Sequence, residues 1–106
     1  MTITEYTYPL DNEFNNYIKA ILAYDKGLED IVVIYYTIDE GREVPLVTYD
    51  LAHGFPHRDI RFLDKKDKRK KKEFRASPEE LHSIAIDDIN SNWKRYLKEY
   101  LSTKKE

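Results

Sequence analysis

The apolar positions follow two periods along the chain, and each period predicts a different kind of element. Downstream they recur at Leu81, Ile84, Ala85, Ile89, Trp93, Tyr96, Leu97, Tyr100 and Leu101. That is one stripe of a 3.6-residue repeat, the mark of an amphipathic helix. Its start is signalled by Ser77-Pro78-Glu79-Glu80. This is a capping box: the Ser hydroxyl accepts from an amide of the first turn, Glu80 reaches back, and proline sits at the first helical position. Lys94, Arg95, Lys98, Lys104 and Lys105 lie toward the far end, where the helix dipole favours cations. At 1.5 Å per residue the helix is roughly 35 Å long, and it needs an apolar surface to lie on.

The upstream pattern predicts that surface. Asp30–Ile38 ("DIVVIYYTI") is β-branched and aromatic, apolar on both faces, and reads as a central strand. Asp39–Arg42 ("DEGR") is a turn, and Glu43–Asp50 is the return strand. Within it Pro45 cannot donate a ladder bond, so it predicts an edge, an end or a bulge. Arg58–Leu63 alternates, with Ile60 and Phe62 on one side and Asp59 and Arg61 on the other. The basic tract that follows loops into a short strand around Glu73–Ala76. Tyr17–Tyr24 fits helical spacing as well, but the turn Asp25-Lys26-Gly27 favours a strand paired with Asp30–Ile38. Short connections make antiparallel neighbours. The expectation is therefore an α+β fold in a single domain, residues 1–106. It has a four- to five-stranded antiparallel β-meander packed against one long C-terminal helix. The first ten residues and the Lys65–Lys72 loop are expected to be its mobile parts.

Composition narrows the function classes. Charged residues make up 36% and no apolar run approaches the length of a membrane span. The start, "MTITEYTYPL", lacks a basic region followed by an apolar stretch, so a cytoplasmic location is expected. Cysteine is absent, which excludes disulfides, thiolate nucleophiles and cysteine-ligated zinc. The lack of Gln beside abundant Lys, Glu, Ile and Tyr leans toward a thermophilic source. No Gly-rich phosphate loop or Gly-x-Ser-x-Gly elbow is present, and no cofactor is expected.

Charge is unevenly shared. Residues 1–64 hold five bases and twelve acids, a net of −7, whereas residues 65–106 hold thirteen bases and eight acids, a net of +5. The most biased stretch is Lys65–Arg75, with eight bases and two acids. Lys65, Lys66, Lys68, Arg69, Lys70, Lys71 and Lys72 read either as a solvated loop or as a holder of RNA backbone through charge alone. An acidic, antitoxin-like protein would meet the same patch, and self-association into a homodimer is a further option.

The densest chemistry is "YDLAHGFPHRD", Tyr49–Asp59. Three readings fit it. In the first, His53 and His57 share general base and general acid roles on RNA, which brings its own 2′-hydroxyl nucleophile. Arg58 neutralises a phosphate, Asp50 or Asp59 fixes an imidazole tautomer, and Tyr49 positions or stacks on a base. In the second, His53 and His57 hold a metal with Asp50, or else Asp59, as the third ligand. In the third, the carboxylates cap turn amides, Gly54 and Pro56 shape the turn, and the motif is structural. Downstream, Asp88 and Asn92 are four apart at the edge of the helical stripe, so one of them is placed to reach the sheet and bond a motif residue. Trp93 and the helix tyrosines are expected in the core, and His82 on the surface.

Two segments together carry a resemblance: Tyr49-Asp50-Leu51-Ala52-His53-Gly54-Phe55-Pro56-His57-Arg58-Asp59 and Ala85-Ile86-Asp87-Asp88-Ile89-Asn90-Ser91-Asn92-Trp93. They resemble a small prokaryotic family of unknown function and, more distantly, the TumE-type toxins of toxin–antitoxin pairs. The resemblance implies an α+β domain of this size and a toxin-like role. An Arg commonly precedes the Tyr-Asp pair in those relatives, and here that position is Thr48. If that Arg contacts phosphate, this chain uses Arg58 or Arg61 instead or has lost the activity.

Overall fold

A computed structural model describes residues 1–51, 55–63 and 72–104. Six strands precede one helix: β1 (Thr2–Pro9), β2 (Asn16–Tyr24), β3 (Leu28–Asp39), β4 (Arg42–Asp50), β5 (His57–Ile60), β6 (Lys72–Glu73) and α1 (Pro78–Lys104). The strands form one antiparallel sheet in sequence order, with β1 and β6 at its edges. The fold is α+β, as the two periods predict. The sheet has six strands rather than four or five because Thr2–Pro9 is a strand in full register with β2.

The turn between β3 and β4 has a local cause. Glu40 and Gly41 both adopt positive φ, 52° and 77°, and connect Asp39 to its partner Arg42 in two residues. That handedness matches the twist of the flanking strands. Tyr35 pairs with Val47 and Tyr36 with Pro45, so Leu46 is the extra residue of a bulge. A proline beside the bulge withholds no bond from a regular ladder.

Alternation along β2 to β5 sends one set of side chains to the helix. Ile18, Ala20 and Leu22, then Ile31, Val33 and Tyr35, then Val47 and Tyr49, then Ile60, pack with Leu81, Ala85, Ile89 and Tyr96 in one core. Each buried Val, Leu or Ile among them contributes about 1.5–3 kcal/mol by leaving water. At the helix start the Ser77 amide donates to Glu80 Oε1 and the Glu80 amide to Ser77 Oγ, each at 3.1 Å. The capping box therefore forms on the residues that encode it. At the other end Lys104 pairs with Asp39, and the Tyr100 hydroxyl donates to the same carboxylate at 2.7 Å. Two of the predicted strands are shorter or shifted: Arg58–Leu63 becomes His57–Ile60, and Glu73–Ala76 becomes Lys72–Glu73.

Candidate functional site

β4 and β5 meet with Tyr49 opposite Arg58, Asp50 opposite His57 and Thr48 opposite Asp59. Because successive strand residues point to opposite faces, this register divides the motif. Tyr49 and Arg58 face the helix. Asp50, His57 and Asp59 lie on the other face.

On the helix side a buried polar cluster forms around Asp88. Its Oδ2 accepts from the Tyr49 hydroxyl at 2.6 Å and the Tyr96 hydroxyl at 2.7 Å. Its Oδ1 accepts from Asn92 Nδ2 at 2.8 Å. Arg58 Nη1 lies 3.4 Å from the Tyr96 hydroxyl and 4.0 Å from Asp88 Oδ2. The two motif segments thus meet at one carboxylate, and of Asp88 and Asn92, the pair placed by helical spacing so that one reaches the sheet, Asp88 is the one that does. Burial, reinforced by the hydrogen bond to Asp88 and its negative charge, pushes the Tyr49 phenol far above its usual value. The same causes raise Tyr96 to about 12. Burial opposes the charge on Arg58, but Tyr96, Tyr49 and Asp88 outweigh it and hold the guanidinium more firmly protonated. Among the described residues, Arg58 Nε and Thr48 Oγ1 are buried without a hydrogen-bond partner.

Cations crowd the same corner. Lys72 stands directly opposite Arg58 across β5 and β6, with its ammonium 5.3 Å from the Phe74 ring centre. The Phe74 ring in turn lies 5.8 Å from the Tyr49 ring. Arg95 lies over the Tyr96 ring at 4.7 Å and also pairs with Glu99 at 3.1 Å.

On the opposite face His57 is 3% exposed. Its Nε2 lies 2.9 Å from Asp50 Oδ1 and 3.6 Å from Asp59 Oδ2. Its Nδ1 lies 3.2 Å from the Phe55 carbonyl oxygen. Both ring nitrogens are therefore engaged by protein oxygens. Among the described residues no three His, Asp or Glu side chains are grouped to hold a metal ion. His53, the other half of the imidazole pair, lies outside the described residues, as do Lys65, Lys66, Lys68, Arg69, Lys70 and Lys71.

Three side chains behave differently from their sequence pattern. His82 is half-buried, not a surface residue, because its Nε2 meets the Tyr6 hydroxyl of β1 at 2.6 Å. The pairing follows from β1 being a strand, which single-residue spacing on the helix does not reveal. Tyr96, read only as core, is also a hydrogen-bonding member of the Asp88 cluster. Arg95, read as a helix-end cation, is the third charge of the corner. A Tyr and a cation adjacent on the helix, about two turns after Asp88, are the sequence signal for both.

No curated protein and no solved structure matches the chain. The whole of it, residues 1–106, matches a family described as a domain of unknown function, DUF7718. The six-stranded sheet, its single helix and the Asp88 cluster that joins them are thus the architecture of this chain as a member of the DUF7718 family.

Proposed function

We propose that the protein is a cytoplasmic RNA-binding module whose contact surface is the corner formed by Arg58, Lys72 and Arg95. The observation that carries this reading is the direct opposition of Arg58 and Lys72 on one face of the sheet. Like charges opposed across strands destabilise a sheet, and a polyanion laid over them removes that cost. Arg95 adds a third cation, over the Tyr96 ring whose hydroxyl Arg58 approaches. The sequence continues the charge from Lys72 back through Lys65. Aromatic surface interleaved with cations favours nucleic acid over an acidic protein: Phe74 underlies Lys72, and Phe55 is 44% exposed nearby in the chain. In this reading Asp50, His57 and Asp59 brace the end of the β4–β5 pair. An imidazole with both nitrogens on protein oxygens suits that task better than proton transfer.

The test is fluorescence anisotropy with a labelled single-stranded RNA. Wild type should bind at low salt, and Lys72→Glu and Arg95→Glu should each weaken binding about threefold to tenfold. No binding by wild type, or equal binding by both variants, overturns the proposal. Binding of a polyglutamate peptide but not of RNA would favour the acidic-protein partner. If the RNA is shortened, with or without chelator, and His57→Ala abolishes the product, the cleaving, toxin-like reading of His53, His57, Arg58, Asp59, Asp50 and Tyr49 replaces simple binding.

A further inference from the structure

The two edges of the sheet are built differently. β6 is two residues long and begins at a lysine, a protected edge. β1 is eight residues long, pairs only with β2, and carries one charged side chain, Glu5. It contains no bulge and no lysine, and of the devices against edge pairing it has only Glu5 and a proline at its last position.

The direction of its free backbone groups can be derived. The Leu10 amide donates to the Asn16 carbonyl at 2.7 Å, and Leu10 opposite Asn16 continues the register in which Pro9 faces Tyr17 and Tyr8 faces Ile18. In an antiparallel pair, hydrogen-bonded and non-hydrogen-bonded positions alternate. Tyr8, Tyr6, Thr4 and Thr2 therefore bond to β2. Ile3, Glu5, Thr7 and Pro9 turn their amide and carbonyl groups away from it, to the open edge. Pro9, which has no N–H to offer, falls in this outward set.

We infer that β1 pairs antiparallel with β1 of a second copy of this chain, joining two sheets into one of twelve strands. The register that fits is centred on Tyr6. It places Glu5 opposite Thr7 of the second copy and Thr7 opposite its Glu5, both pairs exchanging outward amide and carbonyl groups. Ile3 donates to the carbonyl of the second copy's Pro9. Tyr6 meets its own counterpart, and Thr4 meets Tyr8, at non-hydrogen-bonded positions where side chains approach most closely. The alternative centred on Glu5 opposes two carboxylates and is disfavoured. A second copy suits the edge because the pairing is self-complementary. With β6 protected, the association also closes at two chains instead of propagating. This surface lies at the opposite edge of the sheet from Arg58 and Lys72, and the inference does not depend on the RNA reading.

The test is sedimentation equilibrium of the full chain across a concentration series. Wild type should show a concentration-dependent dimer. Thr7→Pro removes an outward N–H that β2 does not use, and should leave a folded monomer, with helix content checked by circular dichroism. Thr7→Glu supplies the sharper test. On its own chain residue 7 lies opposite Lys19, which already pairs with Glu5 at 3.1 Å, so within the monomer the new carboxylate shares that cation. Across the two-fold it meets Glu5 twice, so the dimer should weaken by about tenfold. A wild type that stays monomeric throughout overturns the inference, and so does a dimer that Thr7→Pro or Thr7→Glu leaves unchanged.

Discussion

At the scale of single residues, Asp88 is the side chain on which the others depend. It accepts from Tyr49, Tyr96 and Asn92 in a half-buried site beside Arg58. Removing it strands donors that cannot reach water, at about 1–3 kcal/mol for each group left unsatisfied. Asp88→Ala should therefore lower unfolding free energy by about 3 kcal/mol in urea titrations, while Tyr49→Phe, which removes one donor and leaves no orphan, should cost about 1 kcal/mol. The tyrosines also predict an alkaline transition. Unfolded tyrosine loses its proton near 10, whereas Tyr96 holds its proton to about 12 and Tyr49 and Tyr35 hold theirs beyond that. A raised folded-state value means that this stability is complete below pH 10 and is lost as pH climbs toward and past 12. Phenolate absorbance should accordingly show a fraction of the nine tyrosines ionising only with loss of the helical signal. Tyr49→Phe should make the pH dependence of stability shallower above pH 10. Full ionisation at pH 10–11 with the fold intact would contradict this account.

At the scale of elements, the sequence was clearest where a local interaction suffices. The capping box at Ser77 and Glu80 needs only one turn of helix, and it forms as written. Ser77→Ala should cost about 1 kcal/mol, visible as a lower thermal midpoint with the same native circular dichroism spectrum. Glu40-Gly41 likewise carries its turn in its own φ angles. β1 was less legible. Its alternation of Tyr6 and Tyr8 with Glu5 and Thr7 is weakly apolar, most of it is exposed, and it becomes a strand through pairing with β2. β5 is cut short at Ile60 because the chain turns there, the Leu63 amide reaching back to the Ile60 carbonyl at 3.4 Å. Alternation through Phe62 gave no sign of that.

At the scale of the molecule, the two unequally charged parts of the chain are brought together. Arg58 from the acidic first part and Lys72 and Arg95 from the basic second part converge on one corner. If RNA binds there through these three cations, log affinity should fall with log salt at a slope of about −2, since each contact to a single strand contributes about −0.7. Raising salt from 50 to 200 mM should then weaken binding about fifteenfold. A slope near zero would remove electrostatics from the interaction. A much steeper one would bring in the lysines that precede Lys72 in the sequence.

The sequence by itself determined the two periods, and with them a sheet, a helix, most turns and the uneven charge. Those follow from local sterics, capping and the alternation of apolar residues. It also nominated Asp88 and Asn92 as a pair of which one reaches the sheet, because helical spacing fixes which residues share a face. Only the tertiary structure decided how the motif is used. Strand register is set by many weak pairings acting together, and a shift of one residue would exchange the two faces. The observed register sends Tyr49 and Arg58 to Asp88 and turns His57 away with Asp50 and Asp59. Tyr49, Asp50, His57, Arg58 and Asp59, which read as one cluster along the chain, thus serve both faces of a sheet.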